Sequence, residues 1–329
     1  MRVFVLMADF GIPWQGSKNR ILKYFLNIFP PAENFYDVFG GGFAVTHAMI
    51  LYRARDFKHF HFNEIRPGIC DLIKDAIAGK YSYKNFKPEF ITREKFFAEK
   101  DKNPYVKMCW SFGNDGKAYL FSKSIELYKK SMHNAIVFDK FDALAKKVLG
   151  FDTWKYSFSI KQKRLFLRRK IEHYRKTKVP IVLHGYLNEK QLEQFKQLRQ
   201  LQQLQQLERL QQLERLERLR RLQQLEFSSL DYRNVKIEKG SIIYCDPPYK
   251  NAASYDKKFD HAQFYSWAQK QTEPTFISEY NLDIEGFKCV FEMKKSPIYN
   301  NANKIIKIKK EKMYCNDAAI NSFKRWKNG

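Results

Sequence analysis

The sequence predicts an α/β fold in which a mostly parallel sheet is interrupted by an inserted, mostly helical lobe. Strand-like and helix-like runs alternate over residues 13–80, the alternation resumes from residue 235, and the stretch between them is basic and aromatic. Alternating strands and helices form parallel sheets because right-handed crossovers return each helix onto the sheet. The chain has 329 residues, 44% of them hydrophobic, which is enough for such a core.

The elements of the sheet follow from local patterns. Short apolar runs bounded by turn residues predict strands, and apolar residues three and four apart predict helices. In chain order these are strands at 34–39 and 58–65 with helices at 44–54 and 69–77, then a strand with its exit turn at 241–249, a helix at 259–269, and strands at 274–281, 288–293 and 303–315. Asp260 is the expected N-cap of the helix at 259–269. The last strand should belong to a terminal hairpin.

The chain divides into four segments: 1–80, 81–190, 191–227 and 228–329. Residues 81–190 should form the inserted lobe, with a basic helix at 161–176 that either contacts phosphates or is only solvated. In the third segment leucine recurs at every third position from Leu198 to Leu225. A helix turns 100° per residue, so these leucines wind around it and form no coiled-coil seam. We expect a helix acting as a spacer, with a β-solenoid as the alternative.

The charge of the chain indicates a polyanionic partner. Lysine and arginine outnumber aspartate and glutamate by 60 to 35, which favours nucleic acid over a membrane surface. No apolar run approaches the roughly 18 residues that a spanning helix needs. A merely soluble basic protein is the alternative.

The cysteines and the N-terminal residues point to the cytoplasm. Five cysteines, none in C-x-x-C spacing, suggest neither a disulfide framework nor a zinc site, so we expect a reducing compartment and no metal. The initial MRVFVLMADFG lacks the longer apolar region of a signal peptide. We interpret it as a short first strand or a start-site extension, with Met7 as an alternative start.

A glycine-rich turn, DVFGGGF at 37–43, follows the first predicted strand. Glycines there let a ligand approach the backbone, and cofactors of open α/β sheets bind at the carboxyl ends of strands. Glu64 ends the next strand, where an acidic side chain can accept hydrogen bonds from both hydroxyls of a ribose. Together, the glycine turn and Glu64 predict a cofactor that contains a nucleoside. The alternatives are that the glycines only form a tight turn and that Glu64 is only a solvated side chain.

The tetrapeptide Asp246-Pro247-Pro248-Tyr249 follows an apolar strand. Its prolines remove two backbone donors and fix φ. The result is a rigid turn rich in acceptors, namely the Asp246 carboxylate and the Pro247 carbonyl. Such acceptors suit an exocyclic amino group on an aromatic base, and the ring of Tyr249 can stack on that base for about 1–3 kcal/mol. The alternative is a structural proline turn.

These motifs, in this order, resemble the Dam-like (D12 class) DNA adenine-N6 methyltransferases of the phage and mobile-element type. PWQGSK at 13–18 resembles the W-x-G-G-K block, DVFGGGF the F-x-G-x-G cofactor loop, FNEI at 62–65 the acidic strand end, and YCDPPY the catalytic motif. ISEYN at 277–281 and EKMYC at 311–315 are also similar to family features. The resemblance covers roughly 13–80 and 228–316.

The resemblance implies a Rossmann-like methyltransferase sheet and methyl transfer from S-adenosylmethionine to a flipped-out adenine of double-stranded DNA. It would make 1–80 the cofactor-binding part of the methyltransferase domain, 228–329 its catalytic part and 81–190 an inserted DNA target-recognition lobe. Asp246, Pro247 and Tyr249 would carry the catalysis. Within the cofactor site, Glu64 would take the ribose hydroxyls. The implied cofactor-binding residues are Trp14, Lys18, Phe39, Gly40, Gly42, Glu64, Asp231, Tyr232 and Asp246. Self-protection of DNA, as in restriction-modification, would be the role.

Two positions depart from the family pattern. Ser17 replaces the second glycine of the first block, and Glu64 is longer than the usual aspartate. Residues 80–230 match the specificity region poorly, which leaves the recognised sequence open. DNA phosphates are the expected partners of the lysines of the inserted lobe and of Lys304, Lys307, Lys309 and Lys310.

Several other functions stay open at this point. They are methylation of cytosine-N4, of RNA adenine or of a protein amide, and a catalytically idle DNA-binding homologue. An aspartate rather than a serine at the head of the tetrapeptide disfavours cytosine. The presence of Lys18, Glu64 and Asp246 disfavours an idle protein.

Overall fold

A mostly parallel sheet organises the described part of the chain and has seven strands there. The computed structural model describes residues 10–84, 86–177, 205–219, 224–250, 259–295 and 309–328. The strands are β1 (Asn34–Asp37), β2 (His59–Asn63), β3 (Leu225–Ser228), β4 (Ser241–Cys245), β5 (Thr275–Glu279), β6 (Phe287–Lys295) and β7 (Lys309–Asn316). They lie in the order β3-β2-β1-β4-β5-β7-β6. β1 to β5 are parallel and β7 is antiparallel to both β5 and β6, which confirms the predicted α/β sheet.

The helices and the sheet fall into two compact units. The first contains the sheet and comprises Met1–Ile12, Gly16–Asp71 and Arg221–Gly329, and the second comprises Pro13–Gln15 and Leu72–Arg220. In chain order the described α-helices are α1 (Leu22–Phe25), α2 (Ala44–Arg53), α3 (Ile69–Ile77), α4 (Arg93–Glu99), α5 (Pro104–Cys109), α6 (Lys123–Val137), α7 (Ala143–Leu149), α8 (Ile160–Thr177), α9 (Gln205–Leu216), α10 (His261–Gln269) and α11 (Asp317–Asn328). None of these helices combines the length and the apolar character needed to cross a membrane.

Burial on both faces explains the apolar character of the central strands. Every residue of β1, β4 and β5 is buried, as expected for parallel strands covered on both sides. Successive side chains of β4 point to opposite faces. Tyr244 therefore stacks on Phe25, whereas Ile243 and Cys245 join a second cluster with Phe264.

The predicted elements of the first unit are confirmed with small shifts at their ends. The helix at 69–77, most of which belongs to the second unit, has the predicted bounds. Asp260 caps α10, because its Oδ1 accepts a hydrogen bond from Gln263 N at 3.0 Å. β6 and β7 form the terminal hairpin. The strand or extension proposed for the N-terminal residues lies mostly in positions 1–9, outside the described residues.

Three elements of the first unit were not predicted, namely the short helix α1, the strand β3 and the helix α11. β3 occupies the end of the segment that the leucine repeat assigned to a helix, and it pairs in parallel with β2. α11 follows β7, and Asn316 caps its first turn by accepting a hydrogen bond from Ala319 N at 3.0 Å. The asparagine followed by Asp317 is an ordinary helix-start signal.

In the second unit, the predicted basic helix is confirmed as α8. Its Leu167 is buried with Leu207 of α9 in one cluster that also includes residues of α6 and α7. Lys161, Arg168 and Arg169 are exposed. One side of α8 therefore belongs to a core, and the other offers positive charge to solvent.

Residues 205–216 of the leucine repeat form a helix, as predicted, but the segment is no spacer. Five successive leucines are buried, at positions 207, 210, 213, 216 and 219. At 100° per residue they span about 240° of the helix circumference. Polar residues between them hold buried backbone groups: Arg209 Nη1 donates to Cys109 O at 2.8 Å and to Ser111 O at 2.7 Å. The spacer interpretation is therefore wrong for residues 205–219.

Candidate active site

The carboxyl ends of the parallel strands meet at one edge of the sheet. Polar residues occupy the last position of four of the five parallel strands, namely Asp37 in β1, Asn63 in β2, Ser228 in β3 and Glu279 in β5. β7 runs in the opposite direction, so its beginning reaches the same edge, with Lys312 opposite Glu279. Ligands of open α/β sheets bind at this edge.

The glycine turn after β1 is held tightly against β2. Gly40 N donates to Asn63 O at 2.8 Å. A Cβ on Gly40 would lie 2.1 Å from the ring of Phe62, so only glycine fits without movement. Gly42 O accepts a hydrogen bond from Ile12 N at 2.8 Å. Gly40 therefore has a packing reason for its identity, whereas the hydrogen bond of Gly42 is a backbone contact that any residue could make.

Glu64, directly after β2, anchors this turn with its side chain. Its Oε2 accepts a hydrogen bond from Gly41 N at 2.8 Å, and its Oε1 accepts one from Arg66 N at 3.0 Å. Burial raises the pKa of the Glu64 carboxyl, and the N–H groups and charge of its neighbours oppose that rise. A carboxylate has about four acceptor positions, so capacity for further hydrogen bonds remains.

Phe39 and Tyr232 form an aromatic pair beside the turn. Their ring centroids are 5.3 Å apart, and both rings also contact Phe264. The hydroxyl of Tyr232 is buried and has no hydrogen-bond partner among the described residues. Asp231 binds Arg233 through two side-chain hydrogen bonds of 2.7 and 2.9 Å, which hold the pKa of its carboxyl below the ordinary value.

Lys18 joins the N-terminal block to the Asp-Pro-Pro-Tyr turn. Its Nζ lies 2.7 Å from Asp246 Oδ1 and 3.2 Å from Glu311 Oε1. Burial opposes the lysine charge, but the two carboxylates outweigh it and hold the pKa of Lys18 above its ordinary value. Burial raises the pKa of Asp246; Lys18 opposes this rise and Glu311 adds to it. One buried cation thus faces two carboxylates.

The ring of Tyr249 is fixed by the same cluster. Its hydroxyl donates a hydrogen bond to Glu311 Oε1, Lys18 Nζ lies 4.7 Å from its ring centroid, and Tyr280 packs edge-on at 4.7 Å. Burial, with the charges of Asp246 and Glu311, raises the pKa of Tyr249 well above its ordinary value, so its hydroxyl stays a donor. Pro247 is buried beside it.

Two more buried carboxyls lie at this edge. Asp37 Oδ2 accepts a hydrogen bond from Thr46 Oγ1 at 2.7 Å, and burial raises its pKa to about 7. Glu279 accepts hydrogen bonds from Tyr280 N at 2.7 Å and from Lys250 N at 3.1 Å, and burial raises its pKa to about 7 as well. Glu279 thereby fixes the backbone that leaves the Asp-Pro-Pro-Tyr turn.

The structure brings most of the predicted site residues to the sheet edge of the first unit, but not all of them. Trp14 belongs to the second unit and is half-buried there. Lys304 and Lys307, predicted to contact phosphates, lie outside the described residues. Lys310 forms an ion pair of 2.6 Å with Glu292.

Sequence reasoning missed Glu311, Glu279 and Asp37 as parts of the site. All three stand in motifs that the sequence had already marked, EKMYC, ISEYN and DVFGGGF. Their position at strand ends was a usable signal for Asp37 and Glu279. No local signal identified Glu311, because its place depends on β7 running antiparallel to β5.

The chemistry of this edge is that of hydrogen-bond acceptors and aromatic faces. Buried carboxylates surround a rigid proline turn and one lysine, an arrangement that suits an amino group or a cation. Among the described residues, no group of three or more His, Cys, Asp or Glu side chains could hold a metal ion.

A mostly parallel sheet with a glycine turn, an acidic strand end and an Asp-Pro-Pro-Tyr turn defines a methyltransferase of the class that generally uses S-adenosylmethionine. The chain matches the family of D12 class N6 adenine-specific DNA methyltransferases over residues 14–314, and it belongs to that family. It is a methyltransferase that methylates adenine in DNA. None of the curated proteins compared with it matches.

Proposed function

We propose that the Lys18–Asp246–Tyr249 cluster is the site of methyl transfer to the amino nitrogen of an adenine flipped out of double-stranded DNA. The observation that carries this proposal is the ion pair of 2.7 Å between Lys18 and Asp246 beside the fixed Tyr249 ring. An adenine inside a duplex is inaccessible, so flipping it out costs a few kcal/mol. Stacking on Tyr249 recovers about 1–3 kcal/mol of that cost.

In this proposal Asp246 and the Pro247 carbonyl accept hydrogen bonds from the two amino hydrogens. That contact draws the nitrogen lone pair out of conjugation and aims it at the methyl group. S-adenosylmethionine supplies that methyl group as an electrophile when it is bound. The amino nitrogen would form the new N–C bond as the C–S bond breaks, with the electron pair left on sulfur, and its surplus proton would pass to the Asp246 carboxylate that accepts its hydrogen bond. Positioning supplies most of the acceleration.

The cofactor assignment rests on charge and on donor chemistry. The excess of carboxylate over lysine around Lys18 suits a sulfonium cation. Glu64, fixed by Gly41, would accept hydrogen bonds from the ribose hydroxyls, as expected for its strand-end position. Phe39 and Tyr232 offer apolar faces for the adenine ring, with Gly40 and Gly42 in the adjoining turn. Trp14 and Asp231 stay predictions as cofactor contacts.

The biological setting is also part of the proposal. A surplus of 25 positive charges supports a duplex substrate held through its phosphates, with affinity that falls steeply as salt rises. Cysteines without disulfide spacing support a cytoplasmic location. The resemblance to phage and mobile-element enzymes supports self-protection of DNA, as in restriction-modification.

The test is methylation of plasmid DNA followed by single-molecule mapping of the modified bases, with Asp246→Asn as the variant. Asparagine keeps the shape of the side chain but removes its charge. We expect turnover to fall by about 10²–10³-fold, as when a positioned transition-state contact is lost. The matched control is Asp152→Asn, which alters an exposed aspartate of the second unit and should leave turnover unchanged. Near-normal turnover of Asp246→Asn would contradict the assignment of this cluster as the site of methyl transfer.

A further inference from the structure

Glu311 is a buried carboxylate with two specific partners in the site. Its side chain is 1% exposed. Tyr249 Oη donates a hydrogen bond to it, and Lys18 Nζ lies 3.2 Å from the same oxygen, Oε1. A buried carboxylate is costly unless it is paired and hydrogen-bonded, and here both partners are residues of the proposed transfer site.

The position of Glu311 comes from the topology. β7 enters the sheet antiparallel to β5 and places Glu279 opposite Lys312, so Glu311 stands at the edge where the parallel strands end. The neighbouring hairpin residues Lys310 and Lys312 form ion pairs with Glu292 of β6. Glu292 is 40% exposed. The hairpin therefore carries one carboxylate directed into the site and one at the surface.

The two contacts of Glu311 constrain different things. The hydrogen bond from the Tyr249 hydroxyl fixes the end of the side chain that is most distant from the backbone. It therefore limits rotation and tilt of the ring. The ion pair divides the charge of Lys18 between two carboxylates, so Asp246 keeps more of its capacity to accept hydrogen bonds from another group. Both effects act through other residues and need no contact between Glu311 and the base.

We propose that Glu311 is a positioning residue that orients the Tyr249 ring for stacking on the target adenine and shares Lys18 with Asp246. This inference rests on the proposed function of the cluster. It assigns to the antiparallel hairpin a part in the reaction besides contact with DNA.

The experiment compares Glu311→Ala, Glu311→Gln, Tyr249→Phe and the double variant Tyr249→Phe/Glu311→Ala in the full-length chain. We measure kcat, the KM for DNA, S-adenosylmethionine affinity, and the fluorescence of 2-aminopurine placed at the mapped target position. Glu311→Ala should lower kcat by roughly 10- to 100-fold, the usual range when a hydrogen bond to a charged group is lost. Glu311→Gln keeps an acceptor for the Tyr249 hydroxyl and should recover part of that loss.

The double variant separates positioning from folding. If Glu311 acts through the Tyr249 hydroxyl, the losses are not additive, because the second change removes a contact that is already broken. The 2-aminopurine signal should change in Glu311→Ala, since the flipped base meets a looser ring. Glu292→Gln removes the surface carboxylate of the same hairpin and should leave kcat, S-adenosylmethionine affinity and the 2-aminopurine signal unchanged.

Glu311→Ala with normal kcat and a normal 2-aminopurine signal would overturn the inference, as would full additivity in the double variant. If Glu311→Ala does not fold, the near-isosteric Glu311→Gln decides by the same measurements, and wild-type values for it would overturn the inference. Asp246→Asn in parallel separates the two failures. An active Asp246→Asn refutes the proposed function, whereas an inactive Asp246→Asn beside a normal Glu311→Ala refutes only the role of Glu311.

Discussion

The two units of the chain bury polar groups in different ways. In the first unit Lys18, Asp246 and Glu311 contact one another in one cluster at the carboxyl edge of the sheet. In the second unit the buried polar groups form separate pairs, such as Lys163 with Asp139 and Gln206 with His133. Lys129 lies 5.3 Å from the Phe121 ring centroid, and burial lowers its pKa to about 7 although Glu208 opposes this. Burial likewise lowers the pKa of His133 to about 4.

The difference indicates where the chemistry is concentrated. Lys18, Asp246 and Glu311 share partners, so the protonation state of each depends on the others. They lie at the edge where ligands of such sheets bind. A buried polar pair in an apolar core mainly offsets the cost of its own burial. We therefore interpret the buried pairs of the second unit as structural, and we expect its stability to depend on its buried leucines.

The largest effect on stability should come from Leu213→Ala in the repeat. Leu213 is fully buried, and truncating such a leucine costs about 2–5 kcal/mol through lost burial and a new cavity. Thermal unfolding followed by circular dichroism should shift to lower temperature, whereas S-adenosylmethionine affinity of the folded protein should not change. Arg218→Ala, at an exposed position of the same segment, is the control. Equal stability of the two variants would mean that the repeat is not part of a core.

A smaller effect is expected from Gly40→Ala in the first unit. The new Cβ would meet the Phe62 ring at 2.1 Å, and overpacking of this kind costs about 1–3 kcal/mol. Because Gly40 belongs to the turn that Glu64 holds, the clash should also weaken S-adenosylmethionine binding, measured by calorimetry. Adding Phe62→Leu makes room and should restore part of the affinity. If Gly40→Ala binds S-adenosylmethionine with unchanged affinity, the glycine turn is not part of the cofactor site.

The comparison also explains what could be predicted from sequence. The first unit follows local rules: apolar runs, glycines and capping residues such as Asp260 identified β1, β2, β4, β5 and α10 within a few residues. These features need only the near neighbours of each residue, and the motifs lie directly after the strands. Lys18 and Asp246 could be assigned to one site because the family resemblance joins their motifs.

What could not be predicted depends on long-range contacts. β3 lies in a segment whose composition favours helix, and its pairing with β2 in the sheet decides its conformation. The burial of Leu207 and Leu213 depends on neighbours that surround α9, and a period of three gives no single apolar face from which to infer them. Glu311 enters the site only through the antiparallel pairing of β7 with β5.

The smallest effect concerns Asp37, whose pKa burial raises from 3.8 to about 7. In the unfolded chain this carboxyl is ionised above pH 4, whereas in the folded chain it keeps its proton up to about pH 7. The folded state therefore binds the extra proton, and the free energy of unfolding should fall by about 1 kcal/mol between pH 6 and pH 8 through this group. Asp37→Asn keeps an acceptor for Thr46 Oγ1 and cannot ionise, so the variant should lose this part of the pH dependence.

Glu279, with a pKa also raised to about 7, contributes in the same direction, and Glu279→Gln measures its share. Parallel pH profiles of wild type and Asp37→Asn, from denaturant unfolding at pH 6, 7 and 8, would show that Asp37 is ionised in the folded protein. The negative charge of Asp37 would then add to the charges of the cluster around Asp246. The two units would differ even more in how they arrange their buried charges.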